Sequence, residues 1–179
     1  MTSTKRLALC GVFAGLSLAV MWMISFIPTM DYALPAAAGM LTVFLVIEMS
    51  RRWAFGVFLV AALLSFLLLP SKTVPMLYAS FFGYYPILKA LLEEKLPRPL
   101  EWLCKQLAFN AAMAGTYWLG TKLFGLEFDD FGEEFGKYAP WILLGLGNGA
   151  FLLYDRIILN ALVTIYLRRW QKRFARLLK

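Results

Sequence analysis

The sequence predicts an all-α membrane protein, a six-transmembrane-helix bundle with both termini cytoplasmic, and three observations predict it. First, 61% of the 179 residues are hydrophobic, 16% are charged and the mean hydropathy is +0.67. A soluble domain is nearer half apolar and about a quarter charged. Second, residues 7–30, 53–71, 106–121 and 138–154 contain no Asp, Glu, Lys or Arg. About 20 apolar residues suffice for a helix to cross ~30 Å of hydrocarbon, and runs like these leave no material for a separate soluble domain. Third, the basic residues are distributed unevenly between the connecting segments, as orientation in a membrane requires.

Spans are expected at 7–27, 33–49, 53–70, 74–92, 103–124 and 138–167, all within one integral membrane domain covering 1–179. Placing the N-terminus inside puts fourteen cations there: Lys5, Arg6, Arg51, Arg52, Lys89, Lys95, Arg98, Lys105, Arg168, Arg169, Lys172, Arg173, Arg176 and Lys179. Only three, Lys72, Lys122 and Lys137, then lie outside. An odd number of spans breaks this agreement with the positive-inside rule. The expected location is therefore the cell (plasma) membrane, crossed several times.

The first span follows Lys5 and Arg6, and its 21 residues from Leu7 to Ile27 exceed a typical signal-peptide core, so it reads as a retained span. It carries Gly11, Gly15 and Ala19 at four-residue spacing, a flat stripe that a second helix can approach closely. Internal packing and a partner interface are both open readings of that stripe. The second span is short, because Asp31 and Glu48 bracket only 16 uncharged residues, which rise about 24 Å as a helix. Such a segment crosses fully or re-enters, and either is tolerated when neighbouring helices cover it. In the fourth span Tyr78, Tyr84 and Tyr85 lie deep enough to line a pocket for a planar ligand. Trp22, Tyr32, Trp118 and Trp141 fall near the outer boundary, where amphipathic rings collect.

The longest connection is the outer one. Residues 126–135 alternate five carboxylates with three phenylalanines, either a solvated acidic loop or a lid over an outer cavity. The sixth span holds Asp155 and Arg156 at depth, with 17 apolar residues before them and 11 after. Ionisable side chains inside a membrane mark functional sites by default. Neighbours on a helix point about 100° apart, so each of the two needs another partner or a wet cavity. Asn148 shares the Asp155 face, Asn160 shares the Arg156 face, and Asn110 is the inward polar group of the fifth span. A polar clasp fixing helix register and a ligand-binding site both fit this pattern. Beyond the last span, 167–179 form a basic amphipathic tail, with Leu167, Trp170, Phe174 and Leu177 on one face for the anionic inner leaflet.

Several chemistries are excluded. Histidine is absent, which removes His-based triads and His-ligated metals. Cys10 and Cys104 stand alone at the cytoplasmic ends of two spans, so packing is expected for both and a disulfide for neither. Glu93-Glu94-x-x-x-Arg98 resembles one motif of intramembrane prenyl-protein proteases, but the histidines they need are missing. Tyr154-Asp155 resembles half of an intramembrane aspartyl protease, and the second membrane-embedded Asp is missing too. No phosphate-binding Gly-rich loop is present, so any energy source is external. The expectation is a non-enzyme with no metal, no cofactor and no nucleic-acid partner.

The order of features resembles a known family. Phe13-Ala14-Gly15-Leu16-Ser17 is followed by Pro28 and Pro35 in a short outer segment, then by Arg51-Arg52 and Ala54-Phe55-Gly56-Val57. Phe82-Gly83-Tyr84-Tyr85-Pro86 completes the series. Over roughly the first 120 residues this is similar to the substrate-binding S components of energy-coupling factor (ECF) vitamin transporters. The resemblance implies six spans, cytoplasmic termini, and uptake of a vitamin or related micronutrient with a coupling transmembrane subunit and ATPase subunits. It implies partner docking at Gly11, Gly15 and Ala19, where the family carries Ala-x-x-x-Ala. It also implies substrate contacts at Tyr78, Trp118 and Asn148 and under the 126–135 loop, alongside Asp155 and Arg156 from the residue reading. The alternative is a non-enzymatic scaffold of a cell-envelope assembly, similar to small rod-shape-determining membrane subunits.

Overall fold

A computed structural model of the chain describes residues 3–27, 29–123 and 139–170. The loop over 126–135 and tail residues 171–179 lie outside the described residues, so the lid and most of the amphipathic tail do too. All regular structure among the described residues is helical. Helix α1 covers Ser3–Trp22 and tightens into a 3₁₀ turn at Met23–Ser25. Helices α2 (Ala33–Glu48) and α3 (Arg51–Leu68) follow. Leu69 is extended, as the residue before Pro70 is bound to be, and α3 stops there. Next come α4 (Thr73–Leu77), a π-helical turn at Tyr78–Phe82, and α5 (Tyr85–Lys95). After α6 (Arg98–Leu123), the last rod is built from α7 (Ala139–Leu153), a π turn at Tyr154–Leu159, α8 (Asn160–Ile165) and a π turn at Tyr166–Trp170.

Three of the expected spans differ from the prediction: the fourth and sixth are interrupted, and the fifth begins early. The fourth is broken because Pro86 has no N–H to give Phe82 and its ring crowds that carbonyl. Above the break, Gly83 N–H donates to the Tyr78 carbonyl at 2.8 Å, the i→i+5 bond of a π turn. Below it, Pro86 sits in the first turn of α5, where a missing donor does no harm. The helix of the fifth expected span, α6, starts at Arg98, earlier than the apolar pattern suggests. Leu96 is extended before Pro97, and Pro99 is tolerated in the first turn of α6. The added residues, 98–102, carry Arg98 and Glu101.

Helix α2 holds the bundle together. Leu34 and Ala38 join Met21, Phe58, Ala61, Leu69, Val74 and Tyr78 in one apolar cluster. Val43 joins Phe81, Tyr85, Phe109, Phe151 and Tyr154 in a second, and Leu45 joins Cys10, Ala14, Ala54 and Val57 in a third. So short a helix is viable because neighbours cover it on more than one side. Close approach is required at Gly39, where a Cβ would lie 2.9 Å from the Phe82 carbonyl carbon and closer still to its oxygen. Thus the carbonyl that Pro86 deprives of a donor is packed against bare α2 backbone.

Three rods are long and apolar enough to cross a membrane: Ser3–Ser25, Arg51–Leu68 and Leu144–Arg168. Their lengths are about 27 to 38 Å at ~1.5 Å per residue. Each turns large apolar side chains outward: Leu7, Val12 and Leu16; Leu59, Leu63 and Leu67; Leu146, Leu153 and Ile157. Soluble monomers do not expose apolar surface on this scale, and hydrocarbon is the solvent that suits it. The chain is a helical membrane protein.

Candidate functional site: a buried ionic cluster

Asp155 is 3% exposed and sits in the π turn of the last rod. Tyr154 and Asp155 are both buried there, whereas Arg156 is exposed. The widened turn lets two consecutive side chains face inward together. The Tyr154 hydroxyl donates to the Ala36 carbonyl of α2 at 3.2 Å. Asp155 Oδ1 accepts from the Tyr85 hydroxyl and from Lys89 Nζ, each at 2.6 Å. Lys105 Nζ approaches the other carboxylate oxygen at 3.6 Å.

The two lysines are themselves bridged. Glu93 lies 2.6 Å from Lys89 and 2.8 Å from Lys105, and Glu101 lies 2.5 Å from Lys105. Lys89 and Lys105 are as buried as the aspartate, at 6% and 2% exposure. Charges so far from water are held only by compensation, and every member of this network has an opposite charge within reach. Next to it the rings of Phe81 and Tyr85 stack at 4.6 Å and those of Phe109 and Phe151 at 4.7 Å, an aromatic sleeve that keeps the cluster dry on one side. On the other side the cluster opens into a cavity of about 410 Å³ lined by Lys89, Glu93, Arg98, Glu101, Lys105, Asp155, Arg156 and Asn160. Outside the cavity lining, Arg51 pairs with Glu94, joining α3 to α5, and the Tyr166 hydroxyl donates to Glu48 at 2.6 Å, joining the last rod to α2.

The residues expected to bind substrate are dispersed. Asp155 and Arg156 both reach the cavity. Asn148 instead exchanges amide hydrogen bonds with Asn110, 3.1 Å in each direction, accepts from Gln106, and donates to the Leu144 carbonyl at 2.7 Å. Tyr78 is fully buried among the apolar side chains of α1 to α4. Trp118 points away from the bundle at 62% exposure. Gly11, Gly15 and Ala19 are exposed, and nothing lies within 4 Å of a Cβ built on either glycine. The opposite face of α1 buries Cys10, Ala14, Ser17 and Met21. Cys10 and Cys104 are free thiols.

Sequence reasoning counted Lys89 and Lys105 as flanking charges and overlooked Glu93 and Glu101 as their partners. The signal was in the spacing: Tyr85, Lys89 and Glu93 repeat every fourth residue on one face of α5, and Glu101 and Lys105 do so on α6. No cluster of metal-ligating side chains occurs among the described residues. Comparison with family profiles, with curated proteins and with solved structures yields no match, so the site is defined by its own geometry.

Proposed function

We propose that this chain is a six-span plasma-membrane protein with cytoplasmic termini, acting as the membrane-embedded substrate-binding subunit of an ECF-type small-molecule uptake system. The observation that carries the reading is the bare stripe on α1. Gly11, Gly15 and Ala19 are exposed, and nothing lies within 4 Å of a Cβ built on either glycine, although one helical turn of small residues after another suits close backbone contact. A coupling transmembrane subunit is the partner that the resemblance to S components implies for that face. The orientation is supported by charge: with the buried, neutralised Lys89 and Lys105 set aside, twelve of the fourteen inner cations remain against three outer ones.

Gly15→Leu is expected to abolish co-purification of the partner while leaving the chain's own thermal transition unchanged, because the added side chain enters open space. Pull-down from native lipids, followed by mass spectrometry of both proteins and small molecules, reads this directly. An intact complex in the Gly15→Leu variant overturns the docking assignment. Absence of any ATPase or coupling subunit, together with no retained solute, overturns the uptake assignment.

One observation favours a second reading. Among the described residues, Tyr78 is buried in the apolar core, Trp118 faces outward and Asn148 pairs with Asn110, and none of the three lines the cavity beside Asp155. A scaffold subunit of a cell-envelope assembly needs no solute pocket, and its loss alters cell shape and leaves nutrient uptake intact.

A further inference from the structure

We propose that the cavity beside Asp155 holds the phosphodiester headgroup of an anionic phospholipid, gripped by Arg98 and Arg156. The charges around the cavity sort into two sets. The inner set is Lys89, Lys105, Glu93, Glu101 and Asp155, two cations against three carboxylates joined by the ion pairs above. It carries a net charge of −1. The rim is Arg98 and Arg156, which make no ion pair or hydrogen bond with any described residue and contribute +2. Together the lining has a charge of +1.

A lining next to hydrocarbon is most stable when its charge is balanced. One negative charge completes it, and a phosphodiester carries one. Guanidinium forks match phosphate oxygens, and each such bond is charge-assisted. The Asn160 amide, also on the lining, is a further donor. The lipid source follows from the surroundings. Leu100, Leu103 and Leu107 on the helix that begins with Arg98, and Ile157 and Ile158 directly after Arg156, turn outward for acyl chains. With the proposed orientation the cavity lies at the inner leaflet, where basic pockets between helices take anionic headgroups. The inference is independent of whether the chain carries a solute.

The test is native mass spectrometry of the full chain in detergent, titrated with phosphatidylglycerol or phosphatidylcholine. Phosphatidylglycerol is expected to bind at least tenfold tighter, since the choline cation of the other lipid faces two arginines. Arg98→Gln combined with Arg156→Gln is expected to erase that preference, while Lys122→Gln, an exposed charge near the other end of α6, leaves it intact. Both arginines are exposed, so the double variant is expected to keep its melting temperature. Equal binding of the two lipids, or a preference that survives in the double variant, overturns the proposal. Glycerophosphoglycerol, the same headgroup without acyl chains, is the competitor. If it binds as tightly as the lipid, the site reads a soluble phosphodiester and the lipid assignment fails.

Discussion

Asp155→Ala is expected to destabilise the bundle by about 3–5 kcal/mol, the range for removing one partner from a buried ion pair. The aspartate is where three elements meet: Tyr85 and Lys89 from α5, Lys105 from α6, and the last rod that carries it. Alanine leaves Lys89 leaning on Glu93 alone, and leaves the Tyr85 hydroxyl without its acceptor. Burial of a charge or hydroxyl without a partner is what makes the loss large. Thermal or denaturant unfolding in detergent measures it. Replacing both partners, Asp155→Leu with Lys89→Met, is expected to cost less than Asp155→Ala alone, because no uncompensated charge then remains at that pair. A double variant as unstable as the sum of its two single variants would show that the two residues do not act as a pair.

The second large effect is expected at Gly39→Ala, which should destabilise the protein by about 3 kcal/mol, at the upper end of overpacking. The new methyl would overlap the Phe82 carbonyl, and it would sit 3.3 Å from the Tyr154 hydroxyl. Neither a flexible side-chain tip nor a rotamer change relieves this, because the obstructing atoms are backbone. Alanine ordinarily strengthens a helix relative to glycine by roughly 0.5–1 kcal/mol. Gly56→Ala in α3, where nothing lies within 4 Å, is the matched control and is expected to be neutral or slightly stabilising. A Gly39→Ala protein that melts with the parent would mean that α2 and the π turn at Tyr78–Phe82 are not in close contact.

These two sites differ in how they are written in the chain. Membrane residence was legible at once, because the solvation of an apolar run depends only on the run itself, and α1, α3 and the last rod are such runs. Asp155 was legible as an anomaly for the same reason, a carboxylate in an apolar setting. Its partners were not. Lys89 and Lys105 lie 66 and 50 residues away and look like ordinary inner-flank cations until the chain is folded. Tyr78 and Trp118 reverse the comparison: composition treats both as amphipathic rings, and the fold buries one completely while leaving the other bare.

By itself, the sequence determined that this protein is helical and lives in a membrane, that it lacks histidine chemistry, and that its last span carries ionisable groups at depth. Tertiary structure alone decided that Asp155 is neutralised by two lysines, that Arg98 and Arg156 are left to face a shared cavity, and that Gly11, Gly15 and Ala19 of α1 face outward. Hydropathy sums over neighbours in sequence, whereas ion pairing and steric exclusion act between neighbours in space.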